Sequence, residues 1–134
     1  MGTPQGETST PQGYEERLEF GSQLTVHAKT LGASFRRLMA TRLSTALRGV
    51  GQHVERVVVR FEDLNGPKGG VDTACRIQLT VRGRPVLLAE ARADGEGRAF
   101  RLALPRLATA LARQRGRDRS HSRASLRLQH VMPL

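Results

Sequence analysis

The chain is 134 residues long, carries a formal net charge of +10, and contains one cysteine and no tryptophan. That length holds a single modest core; one cysteine excludes an internal disulfide framework and fits a reducing compartment; and no apolar run approaches the length of a membrane span. The first residues have neither the apolar core of a signal peptide nor the acid-poor composition of a transit peptide, so the expected location is the cytoplasm.

Charge is unevenly placed along the chain. Residues 1–23 hold one arginine against four glutamates, residues 24–112 hold fifteen basic against seven acidic side chains, and residues 113–134 hold six arginines against one aspartate. A cationic body with a cationic tail attracts polyanions, and nucleic acid is the commonest of these in a cell.

Residues 1–22 are rich in Pro, Gly, Ser, Thr and Glu and poor in apolar side chains, so they are expected to form a disordered, acidic and polar arm. Residues 23–29 (QLTVHAK) alternate Leu24, Val26 and Ala28 against Thr25, His27 and Lys29, the period of two that makes a first strand. Ser34 can cap a helix running to about Arg48, ended by Gly49 and Gly51. Its stripe is Phe35, Leu38, Met39, Leu43, Ala46, Leu47 and Val50, with Arg37, Thr41, Ser44 and Arg48 opposite and Arg36 and Arg42 on the flanks.

Residues 57–63 place Val57, Val59 and Phe61 on one face, and residues 75–81 do the same with Cys75, Ile77, Leu79 and Val81. The two runs read as a central antiparallel hairpin around a Gly- and Pro-rich loop, residues 64–70 (LNGPKGG). That loop lacks the spacing and the following helix of a nucleotide-binding loop and is read as a hairpin connection. Residues 82–85 (RGRP) form a tight turn. Residues 86–93 (VLLAEARA) return as a fourth strand, with Leu87, Ala89 and Ala91 inward. After a break at residues 94–97, residues 98–115 read as a second helix with a stripe of Phe100, Leu104, Leu107 and Leu111. Pro105 inside it predicts a kink, or else a new helix begins there, and the kink is preferred. Residues 116–134 read as a basic, disordered tail.

Strand, helix, three strands and helix make an α+β two-layer sandwich, β-α-β-β-β-α: a four-stranded sheet with two helices on one face, as in a double-stranded-RNA-binding domain. The domain spans residues 23–115. Its open sheet face, with Thr25, His27, Val58, Arg60, Arg76, Gln78, Thr80, Glu90 and Arg92, is mixed in sign and has no aromatic ring for stacking bases. Recognition of phosphates by helix arginines remains. No Ser, His and acid group into a triad and no residues stand at metal-ligand spacing, so neither an enzyme nor a cofactor is expected. Cys75 reads as a small core residue.

The element order, residues 35–43 (FRRLMATRL), Asn65-Gly66-Pro67 with Gly69-Gly70-Val71-Asp72, and Ala99-Phe100-Arg101-Leu102-Ala103 with Arg106-Leu107 together resemble the ribosome hibernation-promoting and ribosome-associated inhibitor family. Its members also carry the name of sigma-factor modulation proteins. The resemblance covers residues 23–115. It implies a monomeric bacterial protein that binds rRNA of the small ribosomal subunit and silences translation under stress. Carried over by position, it assigns RNA contact to Arg37, Arg42 and Arg48 on the first helix and to Arg98, Arg101, Arg106 and Arg113 on the second. The chain leaves no room for the dimerising second domain of the family's long members. The alternative is a protein-protein adaptor for a transcription or stress-response partner.

Overall fold

The computed structural model describes residues 12–29, 31–64 and 72–131, with the side chains of residue 12 and residues 118–131 excepted. The order is β1 (Gln12–Arg17), β2 (Gln23–Ala28), α1 (Ala33–Ala46), a 3-10 segment (Arg48–His53), β3 (Val54–Asp63), β4 (Thr73–Val81), β5 (Leu87–Ala93) and α2 (Glu96–Val131). One mixed sheet runs β1-β2-β3-β4-β5, antiparallel at every junction except β2 with β3. Parallel neighbours need a crossover, and α1 supplies it.

The alternation read from the sequence builds the core. Leu24 and Val26 of β2, Val57 and Val59 of β3, and Cys75, Ile77 and Leu79 of β4 are all fully buried on the helix side. Met39, Leu43 and Leu47 from the first helical segment and Phe100 and Leu107 from α2 close over them. Each such side chain contributes roughly 1.5–3 kcal/mol by leaving water. A register shift between Val54 and Arg56 turns both Val54 and Val57 inward, as one extra residue in a strand does. Phe35 ties the layers together, its ring 6.1 Å from Phe61 and 6.3 Å from Phe100. Further along, Gly49 lies against the Arg115 guanidinium, so α1 and α2 run in the same direction.

Four expectations are corrected. The sheet has five strands, because residues 12–17, assigned to the loose arm, pair with β2 from Gln12 opposite Ala28 to Arg17 opposite Gln23. An edge strand needs little apolar surface of its own when side chains clamp it. Arg36 does so, stacking 4.4 Å from the Tyr14 ring centroid, meeting Glu16 at 3.4 Å and donating to the Leu31 carbonyl at 2.9 Å. The β1–β2 turn closes through Gly21 at φ +93°, with Leu18 N–H bonded to Ser22 O at 2.9 Å. Residues 1–11 lie outside the described residues.

The second correction follows from the first. Ser44, placed on the exposed side of α1, is buried, while Leu38, placed in the stripe, is 42% exposed. β1 and the turn after it lie under the Ala40 and Ser44 flank, so the helix rolls toward them. Ser44 Oγ donates to Ala40 O at 2.7 Å and accepts from Glu19 N–H at 2.9 Å. Third, Ser34 caps nothing: α1 begins at Ala33 behind Gly32, without a side-chain cap.

Fourth, α2 neither ends near Arg115 nor restarts at Pro105. It is one helix from Glu96 to Val131 with Pro105 inside it, so the basic tail expected from residue 116 is helical through Val131. Pro105 and Arg101 are both exposed, and water can take the carbonyl that the proline leaves unbonded.

Candidate nucleic-acid interface

The seven predicted arginines all lie in the helical layer and all are exposed. At 3.6 residues per turn, Arg37 and Thr41 share the ridge of α1 nearer β1, whereas Arg48, expected on the same helix, opens the 3-10 segment that follows its end at Ala46. Arg48 meets Glu19 there at 3.7 Å. Arg42 falls on the opposite flank, the one that carries Phe35 and faces α2. On α2, Arg101 rises beside the seam between the helices, while Arg106 and Arg113, two turns apart, share the flank toward β5. Arg98 bonds to Asp94 at 3.3 Å, and Arg106 Nη1 donates to the Glu90 carbonyl at 2.6 Å. The structure therefore spreads the seven across one layer as a band and does not gather them into one cluster.

Among the described residues, Arg37, Arg42, Arg101 and Arg113 have no carboxylate within ion-pair distance. The Arg48 and Arg98 pairs are more than half exposed at the arginine, and such pairs are worth about 0–1 kcal/mol. A phosphate can take over either arginine at little cost. By contrast, Arg36 is committed to β1, and the half-buried Arg115 lies against Gly49.

The open sheet face carries Arg17, Arg56, Arg60, Arg76 and Arg92 against Glu15, Glu62 and Glu90. Arg76 and Glu90 pair across strands at 3.4 Å. Arg56 escapes the sequence reading because it precedes the apolar run used to place β3. His27 stands opposite Arg60; burial first, and the Arg60 charge second, hold its imidazole below the usual 6.5. On the core side, burial pushes the Cys75 thiol up to about 12, which removes the thiolate that nucleophilic or metal chemistry requires. Among the described residues no group of three or more His, Cys, Asp or Glu side chains could hold a metal ion, and no helix is long and apolar enough to cross a membrane. The glycine-rich loop at residues 65–71 lies outside the described residues.

No family model matches the chain, and no curated protein matches it. Solved structures do. A ribosomal subunit interface protein from Coxiella burnetii superposes with a TM-score of 0.53 at 14% identity, over 69% of this chain and 94% of that one. At that identity the likeness is one of fold: the α+β arrangement of a mixed sheet with helices is shared with that structure.

Proposed function

We propose that the chain is a ribosome-binding factor that docks its helical layer on rRNA of the small subunit and holds translation inactive under stress. The observation that carries this reading is the band of arginines without carboxylate partners, Arg37, Arg42, Arg101 and Arg113, on a fold shared with a ribosomal subunit interface protein. Arg48, Arg98 and Arg106 join the band by exchanging internal partners for phosphate. The chain acts without a cofactor, by occupying a surface and making no covalent bond. Guanidinium forks on two parallel helices suit the paired phosphate ridges of folded RNA, whose base edges are mostly hidden from side chains.

The test is sedimentation with ribosomal subunits on sucrose gradients, using the wild type and a variant reversing Arg37, Arg42, Arg101 and Arg113 to Glu. Co-migration of the wild type with the small subunit, lost in the variant, supports the proposal. Wild-type protein left at the top of the gradient at low salt overturns it. Association that survives the reversal assigns the contact to protein, as a partner adaptor would make it.

A further inference from the structure

β5 stands at one end of the sheet. An end strand offers its outward N–H and C=O groups to any additional strand. Its register against β4 sets Ala89 opposite Ile77 and Ala91 opposite Cys75, with Glu90 opposite Arg76 between them. The Glu90 carbonyl receives its hydrogen bond from Arg106 of α2, so it faces away from β4. In an antiparallel ladder the outward groups recur at every second residue, and Leu88 and Arg92 therefore present theirs on the same free side. α2 also holds the approach to the strand, since Gln114 Nε2 donates to the Pro85 carbonyl at 3.2 Å.

We propose that this edge is a docking strand for a second copy of the chain, kept closed by Arg106. Charge selects the occupant. An antiparallel copy centred on Ala91 brings Glu90 opposite Arg92 of the second copy, and the two-fold axis repeats the contact, so both charges of the edge are answered by the same sequence. Glu90 then sits between that arginine and its own cross-strand partner Arg76. Leu88, 59% exposed on the open side of the edge, loses water in the same step. Opening requires only that Arg106 release one carbonyl. The proposal does not depend on RNA docking.

Sedimentation equilibrium with hydrogen exchange tests it, in about 0.5 M salt so that the repulsion between two copies of net charge +10 is screened. Arg106→Ala and Arg106→Gln, each shown to be folded by circular dichroism, are expected to dimerise at concentrations at least tenfold lower than the wild type, with the amides of Leu88, Glu90 and Arg92 newly protected. Adding Arg92→Pro removes an outward donor while leaving the ladder to β4 intact, and should abolish the dimer. Unchanged association in both Arg106 variants overturns the proposal. So does a dimer that tolerates Arg92→Pro, or one that leaves those three amides unprotected.

Discussion

Ser44 shows how much one hydroxyl can hold. It bonds to the Ala40 carbonyl within α1 and to the Glu19 amide in the turn after β1, joining two elements that share little apolar surface. Replacing it by Ala leaves the Glu19 amide without its acceptor and should cost about 1–3 kcal/mol, read as a lower urea midpoint at unchanged slope. A thiol makes the second residue-scale prediction. Because burial raises Cys75 from 9.0 to about 12, the folded state keeps its proton while the unfolded chain loses it. Stability contributed by this group is thus fully present below pH 9 and declines as pH rises toward 12. A Cys75→Ala variant should lack that part of the decline, and the native thiol should resist alkylation at pH 8 until the chain is unfolded.

Among the elements, the three inner strands β2, β3 and β4 and the final strand β5 are legible from alternation because their apolar sides are sealed by helices. Cross-strand placement of His27 against Arg60 is not, since it depends on β2 and β3 being parallel neighbours. It has a measurable effect. His27 is depressed below 6.5, so acid protonates the unfolded chain first, and the stability this group contributes is present above pH 6.5 and lost as pH falls below it. Thermal melts from pH 7 to 5 should show that loss, reduced in Arg60→Gln, which removes the lesser of the two causes. β1 is illegible for the opposite reason: Gln12–Arg17 has one aromatic ring and no other large apolar side chain, and its order comes from Arg36, twenty residues away from Glu16 in the chain. Missing it misplaces Ser44 and Leu38 as well. The continuity of α2 past residue 116 escapes too, because composition there is polar and a helix needs no apolar stripe where it leaves the sheet.

At the scale of the whole molecule, the proposed interface is electrostatic, and salt should dominate its affinity. If the band neutralises about 6–10 phosphates, binding to small subunits should fall by roughly three to five orders of magnitude between 50 and 200 mM salt; a flat response would point to a protein contact. Which arginines face outward in the helical layer was readable from periodicity, because each helix has one sealed side. The partners of Arg48 and Arg106 were not, because Glu19 and the Glu90 carbonyl approach from a turn and a strand that only the folded chain brings near, whereas Asp94 stands just four residues before Arg98. The parallel junction between β2 and β3 also governs how the chain assembles. β1 finds β2, and β3 through β5 find one another, through short sequence separations, whereas β2 reaches β3 only across the whole of α1. Loop closure makes such distant pairing slow, so assembly has one bottleneck. Truncating Leu43 of α1 to Ala is therefore expected to slow refolding in stopped-flow measurements, whereas truncating Leu87 of β5 should chiefly speed unfolding.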